Sequence, residues 1–348
     1  MLIKSRRQAG RNISFAVCLA FASIFSAASN YTPAEAAAPV AGIQAPGFYR
    51  FYLGDFEITA LSDGTHPFPV HKVLTKAIDP AAGSAIPLDQ AAPGEADAYL
   101  AESSLVVPIQ GSINAFLVNT GSRLILIDSG AGTLYGDCCG HLLSNLRASG
   151  YLPEQVDEVY LTHLHADHVG GVAPGGRIAF PNAVVRVSDV DADYWLSDSN
   201  EKAAPKLLEA MFDGDRASLQ PYIDAGRFKP FGYGSELSPG ITPIASPGHT
   251  PGHSFFQVES KGQKLLLWGD VVHVSQVQFP DPSVTVSYDS DPREAAAERQ
   301  AVFADAAKNG YLIAAAHISF PGVGHVMARG GHYYWVPSNY EASPSGAN

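Results

Sequence analysis

The ten-residue run 162–171 reads Thr-His-Leu-His-Ala-Asp-His-Val-Gly-Gly and follows an apolar, strand-like stretch over residues 156–161. Four possible metal ligands lie within six residues of this run: His163, His165, Asp167 and His168. A strand that ends in a tight, ligand-rich loop turns several side chains towards one point, and imidazole with carboxylate suits zinc and its neighbours. The chain is therefore expected to fold so that this strand ends at a metal site.

Three more candidate ligands follow, each after an apolar run or in a Gly/Pro turn: His249, Asp270 and His317. Two cations about 3.5–4 Å apart share a bridging water and lower its pKa towards neutrality, which yields a hydroxide able to attack a carbonyl carbon or a phosphorus centre. The seven ligands together predict a bimetallic site, with Asp167 and Asp270 as its catalytic carboxylates.

Two stretches of the chain share the order hairpin, acidic turn, helix, strand and ligand. The first predicts strands at 114–119 and 124–127, a helix at 140–148 and a strand at 156–161. The second predicts strands at 254–259 and 264–268, a helix at 292–308 and a strand at 311–316. This repeat predicts an α/β fold in which two mixed sheets pack face to face, helices cover the outside, and the ligand loops meet along one edge. It also predicts related positions for Asp128 and Asp270.

The first 36 residues have the pattern of an export signal. Basic residues precede an apolar stretch at 13–28, and Ala34-Glu35-Ala36 is typical of a cleavage site. We expect an exported, soluble protein, periplasmic or secreted, without a stable membrane anchor, because no later stretch is long and apolar enough to span a bilayer. The net charge of −12 argues against a nucleic-acid partner, which requires a basic surface.

The rest of the chain divides by pattern into two parts. Residues 37–104 are an N-terminal extension, in which a hairpin at 48–61 precedes an Ala-, Pro- and Gly-rich segment at 62–104, interpreted as an arm or lid. Residues 105–348 hold the metal-binding domain, and residues 48–340 are expected to form one compact unit. Further helices are expected at 189–197 and 204–212.

Two adjacent cysteines, Cys138 and Cys139, remain after the export segment. A disulfide between neighbouring residues requires a strained ring. The pair is therefore interpreted as two thiols or as one strained, reducible bridge, and the sequence leaves both alternatives open.

The ligand order resembles that of the metallo-β-lactamase superfamily, and the resemblance covers nearly all of residues 47–340. It implies the αββα sandwich of that superfamily and two divalent metal ions, zinc by default. His163, His165 and His249 would hold the first ion, Asp167, His168 and His317 the second, and Asp270 would bridge both. Asp128 would support a ligand histidine through its free ring nitrogen.

Some branches of the superfamily are disfavoured by this sequence. True β-lactamases of this fold generally lack a bridging aspartate, and the RNA-processing branch adds a nucleic-acid domain and a basic surface. The flavin-linked di-iron oxidoreductases carry an attached flavodoxin-like domain, which the sequence does not show.

Three segments, 53–64, 179–186 and 315–325, resemble the exported methyl parathion hydrolases and their lactonase and arylesterase kin. The resemblance implies a substrate pocket beside the metals and a possible homodimer. The pocket is expected to include seven residues: Leu88, Tyr135, Trp195, Phe212, His273, Val286 and Tyr288. Because His273 and Tyr288 would crowd a phosphotriester and could donate to an ester oxygen, we expect a small-molecule lactone or aryl ester as the main substrate. The alternatives are a phosphotriester hydrolase and an iron-loaded redox protein.

Overall fold

Apolar side chains that alternate along paired strands form the centre of the protein. The computed structural model describes residues 40–79 and 84–342, and the predicted export segment at 1–36 lies outside them. Residues Gln44–Asn348 cluster as one unit, but the predicted boundary between an extension and a metal-binding domain stays a prediction. Within the described ranges, no helix is long and apolar enough to cross a membrane.

The strands, in chain order, are β1 (Phe48–Leu53), β2 (Phe56–Phe68), β3 (Leu74–Asp79), β4 (Ser84–Pro87), β5 (Ile109–Asn119), β6 (Leu124–Ile127), β7 (Glu158–Tyr160), β8 (Val184–Arg186), β9 (Ile241–Ala245), β10 (Ser254–Ser260), β11 (Gln263–Leu267), β12 (Thr285–Val286), β13 (Leu312–Ala314), β14 (Val323–Arg329) and β15 (His332–Pro337). The α-helices are α1 (Val70–Val73), α2 (Leu88–Ala91), α3 (Glu95–Glu102), α4 (Leu142–Ala148), α5 (Ala166–Val169), α6 (Asp189–Trp195), α7 (Asp198–Ala203), α8 (Glu209–Asp224), α9 (Ser275–Gln278) and α10 (Pro292–Asn309).

Two six-stranded sheets face each other. Their strand orders are β1-β2-β5-β6-β7-β8 and β15-β14-β13-β11-β10-β9, and a separate three-stranded sheet has the order β12-β3-β4. Both large sheets are mixed, because β6 and β7 pair in parallel, as do β11 and β13, whereas the hairpin partners are antiparallel. The predicted pair of mixed sheets is thus confirmed.

Side-chain alternation separates an inner core from two outer ones. Ile125 and Ile127 of β6 pack in the same cluster as Leu265 and Leu267 of β11, which places this cluster between the sheets. The intervening side chains point outwards, since successive residues of a strand face opposite sides. Helices α4 and α8 cover the outer face of the first sheet and α10 that of the second, which confirms the αββα sandwich.

The predicted repeat is visible in the connectivity. The units are β5-β6-α4-β7 and β10-β11-α10-β13, and each joins an antiparallel hairpin to a strand that returns parallel to its second member. Asp128 follows β6 directly and Asp270 comes three residues after β11. The two aspartates therefore leave corresponding strands at the same edge of the sandwich.

The segment at 62–104 is more regular than the sequence indicated. Strand β2 stays paired with β5 as far as Phe68. A register shift between Ser62 and Gly64 interrupts the alternation of its side chains but does not end the pairing. The following residues form α1 to α3 with β3 and β4, and they bury Leu74, Leu88 and Leu100 in one cluster. The first seven residues assigned to an arm thus belong to the main sheet.

The helix predicted at 204–212 lies further along the chain. A short 3-10 turn at Lys206–Leu208 leads into α8, which ends at Asp224 and contains Gly214 and Pro221. These two residues disfavour helix in the sequence pattern. In the structure Gly214 lies close to Leu134, where a Cβ atom would approach the leucine side chain to 3.3 Å.

The outer core under α10 should dominate the stability of the second sheet. Phe303 is fully buried, and its ring centroid lies 4.7 Å from that of Phe279 and 5.7 Å from that of Trp268. Phe303→Ala is expected to lower the free energy of unfolding in urea by about 3–5 kcal/mol through lost burial and a residual cavity. Phe303→Leu, the matched control, should cost far less, and equal losses in both variants would contradict this account.

Candidate metal centre

The ligand-rich loop lies where β7 ends and α5 begins. After Tyr160 the chain turns through His163 and His165 into α5, which carries Asp167 and His168. A Cβ atom at Gly171 would lie 1.8 Å from the carbonyl oxygen of Ser129, so only glycine permits this close crossing of two backbones. The loop is thereby packed against the segment that follows β6.

The structure brings all seven predicted ligands together in two sets. His163, His165, His249 and Asp270 form one set, and Asp167, His168 and His317 form the other, with the possible ligand atoms of each set within 4.8 Å of one another. A third possible set contains Asp270, His273 and His317. Within the described residues, the first two sets thus contain the residues that the resemblance implies for the first and the second ion.

Asp270 occupies the middle of the cluster. Its Oδ2 atom lies 3.2 Å from Nε2 of His249, 3.1 Å from Nε2 of His317 and 3.7 Å from Nε2 of His163. Its Oδ1 atom lies 3.1 Å from Nε2 of His168. One carboxylate thus reaches both ligand sets, as the assignment of Asp270 as the bridge requires.

The polar atoms of this cluster fit a bound cation. Nε2 of His163, Nε2 of His168 and Oδ1 of Asp270 are buried and have no hydrogen-bond partner among the described residues. The close approach of His168 to Asp270 is not aligned for a hydrogen bond. Buried polar atoms are nearly always satisfied, and imidazole and carboxylate groups are the ligands that zinc and related divalent ions take. The donor set therefore fits two divalent metal ions.

Charge coupling inside the cluster is strong. Burial opposes the ionisation of Asp270, but the histidines around it, His168 and His317 foremost, hold its pKa well below the ordinary value. Burial likewise opposes the protonation of His168, yet Asp270 and Asp128 raise its pKa well above the usual range. Without metal these carboxylates thus favour a proton on His168, which metal binding must release.

The free ring nitrogens of the ligands are held from behind. Asp128 contacts Nδ1 of His168 at 2.9 Å, the supporting position predicted for it. Asp289 contacts Nδ1 of His249 at 2.7 Å, and the carbonyl oxygen of Ser112 lies 2.8 Å from Nδ1 of His317. Such partners fix the tautomer and the orientation of a ligand imidazole. Asp289 and Ser112 were missed because no motif marks them, and only their neighbours in space reveal the role.

His253 holds the backbone of Asp270. Its Nε2 atom accepts a hydrogen bond from the backbone N–H of Asp270 at 3.0 Å, and its Nδ1 atom lies 3.0 Å from the carbonyl oxygen of Ser246. Burial lowers the pKa of His253 to about 3, so the ring stays neutral and can accept this bond.

A cavity of about 250 Å³ opens beside the ligands. Its lining includes His66, Phe68, Val73, Tyr135, Met211 and Tyr288. Two of the seven predicted pocket residues, Tyr135 and Tyr288, therefore lie on it, and the Tyr135 hydroxyl donates to Oδ1 of Asp167 at 3.3 Å.

The other five predicted pocket residues lie elsewhere. Trp195 and Phe212 are fully buried, and Trp195 stands behind His165 with ring centroids 5.2 Å apart. Leu88 and Val286 pack in the small core around α1 to α3. His273 borders a second cavity together with His317, and its Nε2 atom lies 3.1 Å from Oδ2 of Asp270. Four of these residues, Trp195, Phe212, Leu88 and Val286, thus belong to the hydrophobic cores around the site and do not face a substrate.

The cavity wall also contains residues that the sequence did not indicate. His66 and Phe68 reach it from the end of β2, beyond the register shift, and Met211 reaches it from α8. His66 and Phe68 are two residues apart, so they face the same side of a strand. This spacing is the one signal in the sequence that could have identified a strand at the end of β2.

Comparisons with known proteins agree with this geometry. The family model described as the metallo-beta-lactamase superfamily matches residues 108–317, more than half of the chain. The chain belongs to the metallo-beta-lactamase superfamily, and its fold and clustered ligands are those of a metal-dependent hydrolase.

Similar structures cover almost the whole described chain. The crystal structure of the hydrolase AbOPH, of the beta lactamase superfamily, is 40% identical, covers 86% of this chain and 100% of that chain, and has a TM-score of 0.76. The dizinc quorum-quenching lactonase AidC, in complex with a homoserine product, is 25% identical, covers 85% of this chain and 98% of that chain, and has a TM-score of 0.72. Ribonuclease TTHA0252 of Thermus thermophilus is 29% identical over 175 residues, which are 49% of this chain but only 38% of the ribonuclease.

Removal of the charge behind His168 should weaken one metal selectively. Asp128→Asn is expected to lower the affinity of the set containing His168 about 10–100-fold, because the imidazole loses its anionic partner. Titration of the metal-free protein against a competing chelator would resolve the two binding steps.

The matched control is Asp55→Asn, which removes an exposed carboxylate paired with Lys261 on the surface. It should leave both binding steps unchanged. An Asp128→Asn protein that binds both ions with wild-type affinity would show that Asp128 does not support a metal ligand.

Proposed function

We propose that this protein is a dinuclear metal-dependent hydrolase that cleaves a small lactone or aryl ester. The proposal rests on one observation: two sets of metal-ligand candidates meet at Asp270, and a small cavity with aromatic walls opens beside them. The similarity to a dizinc lactonase over most of the chain supports the same reaction class.

Two divalent ions in this ligand set would supply an activated water and a Lewis acid for the carbonyl oxygen. The chain itself provides a dry and rigid frame for that chemistry. His163, His168 and Asp270 are almost completely buried, and their supporting partners limit rotation of the rings. Charges in such a water-poor site act more strongly than in bulk solvent.

The dimensions of the cavity favour a small substrate. Its volume of about 250 Å³ lies just below the range of about 300–1,000 Å³ that is typical of ligand pockets. Phe68, Val73 and Met211 provide apolar contacts, while Tyr288 and His66 add aromatic edges. A compact aromatic or alkyl ring fits this lining better than an extended or charged molecule.

The polar aromatic side chain of Tyr288 lies near the ligands and could recognise an ester oxygen. Burial and the nearby Asp270 and Asp167 raise the pKa of Tyr288 well above 10, so its hydroxyl keeps its proton. The Tyr288 ring packs against His165, His249 and His273. A protonated phenol in this position supports stabilisation of the oxygen that gains charge as the ester breaks.

The same apolar lining would also accept a phosphotriester, which is the second candidate substrate. Its larger tetrahedral centre would meet Tyr288, which lines the cavity close to the ligands. We therefore propose phosphotriester hydrolysis as a weaker side activity, and an iron-loaded redox role as the remaining alternative.

Loss of the shared carboxylate should abolish the activity. Asp270→Ala removes the carboxylate that reaches both ligand sets, so kcat/KM for an aryl ester is expected to fall sharply. The loss should exceed the factor of about 10–100 that is typical when a residue supporting a metal ligand is replaced. Metal content by mass spectrometry should fall in parallel.

Asp224→Ala, an exposed change at the end of α8, is the control and should retain wild-type metal content and turnover. Full activity in Asp270→Ala would show that the site is wrongly assigned. Redox-active iron in the wild-type protein without turnover of any ester would favour the redox alternative instead.

Substrate preference can be measured as kcat/KM for dihydrocoumarin and for methyl parathion on the zinc-loaded protein. We expect the lactone to be preferred by several orders of magnitude.

Tyr288→Phe should lower kcat/KM for the lactone about 100-fold, which is the loss typical of one donor to a developing charge, and should lower the value for the phosphotriester less. The control is Tyr52→Phe on the edge strand β1, which removes a hydroxyl group that donates to Glu57. It should change neither value. A wild-type preference for the phosphotriester would overturn the lactone assignment.

A further inference from the structure

The two adjacent cysteines lie in a loop beside the metal centre. Cys138 ends a short 3-10 turn that begins at Gly136, and Cys139 follows in an extended conformation. Their Sγ atoms are 2.7 Å apart, although even carbon atoms in contact stay about 3.5–4.0 Å apart and sulfur is larger. The two side chains thus already point at each other, at a distance longer than a disulfide bond of about 2.0 Å but shorter than the contact distance of two separate thiols.

The base of this loop is fixed by one buried carboxylate. Asp63 accepts hydrogen bonds from the backbone N–H groups of Ala131 at 2.9 Å, Gly140 at 3.0 Å and Leu142 at 3.1 Å. Its own carbonyl oxygen accepts from the N–H of His141. Both ends of the loop are therefore tied to β2, and the tip of the loop, residues 133–139, lies between these anchors.

This tip carries a residue of the substrate cavity. Tyr135 lines the cavity and donates to the metal-ligand candidate Asp167, while the Cys138 thiol contacts the carbonyl oxygen of Tyr135 at 3.4 Å. The Tyr135 residue is still 37% exposed. A constraint at Cys138 would thus act on the backbone that positions Tyr135.

We propose that Cys138 and Cys139 form a vicinal disulfide, a modification site that fixes the loop tip beside the substrate cavity. This inference is independent of the substrate assigned above. A low-molecular-weight disulfide serves as the oxidant, and oxidised glutathione is a suitable probe. The thiolate of one cysteine attacks a glutathione sulfur and releases one glutathione, and the second cysteine then attacks the mixed disulfide and releases the other. Two protein thiols lose two electrons and two protons, and one oxidised glutathione becomes two reduced molecules.

The two cysteines differ in access, which sets the order of the steps. Cys138 is half-buried and Cys139 is buried. Burial and the neighbouring thiol raise the pKa of Cys139. Cys138 is therefore the residue that meets the oxidant, and Cys139 closes the ring. Adjacent Cα atoms are only about 3.8 Å apart, closer than in most disulfides, so a reductant should open the bridge readily.

Peptide mapping tests the bond directly on the full chain. Trypsin cleaves after Arg123 and Arg147, so one peptide of residues 124–147 contains both cysteines and excludes Cys18. After incubation with oxidised glutathione and alkylation, this peptide should carry no alkyl group and be lighter than its reduced form by two hydrogen atoms. Treatment with a phosphine reductant should restore two alkylation sites. A doubly alkylated peptide after oxidation, a stable glutathione adduct or a linked dimer of chains would each overturn the proposal.

Hydrogen exchange tests the effect on the loop. Oxidation should slow amide exchange across residues 131–141 in the wild-type protein and leave the strands unchanged. Cys138→Ser and Cys139→Ser, which keep the size of the side chain but cannot close the ring, should show no response to the oxidant. An oxidised wild-type peptide with unaltered exchange would overturn the role in fixing the loop, even though the bond forms.

Discussion

The buried carboxylate of Asp270 is the group on which the rest of the site depends. An ionised carboxylate this far from water is costly unless it is paired, and here five imidazoles approach its two oxygens. The His253 ring fixes the backbone of Asp270 from the opposite side. Because both ligand sets meet at one carboxylate, any shift of Asp270 would move both candidate metal positions together.

The fold supplies this convergence through its two repeated units. In each unit the parallel strands end at the same edge, so Asp128 and Asp270 emerge close to the loops that follow β7 and β13. Neither unit provides a complete ligand set. In one set His163 and His165 follow β7 of the first unit, Asp270 follows β11 of the second, and His249 precedes β10, while the other set also draws on both units. Asn114 on β5 connects the units, since its side chain donates to the carbonyl oxygens of Ala315 and Ile318 around His317.

The sequence sufficed for the features that follow from local pattern. The hairpins, the helix α10 and the strand before the histidine loop repeat a simple periodicity, and the seven ligands stand out because their spacing is unusual. The end of β2 was not predictable in the same way, because the register shift at Ser62 and Gly64 interrupts the alternation on which a strand is recognised. The supporting role of Asp289 depends on a contact across forty residues of chain with His249. Trp195 and Phe212 were expected to face the substrate, but aromatic residues near a site serve equally well as core, and here they pack behind His165.

The ligands and the cavity wall are therefore under different constraints. The ligands lie in the loops at strand ends, most of them are buried, and most are held by a further polar contact, so a small displacement would break several interactions at once. The wall comes from separate segments: the end of β2, the loop that carries Tyr135, the helix α8 and the turn after β12. Loops on a rigid scaffold can change without moving the elements they join. Substitutions in these segments can alter which ester or phosphotriester fits while the metal chemistry stays intact, and so the motif that identifies the superfamily carries little information about the substrate.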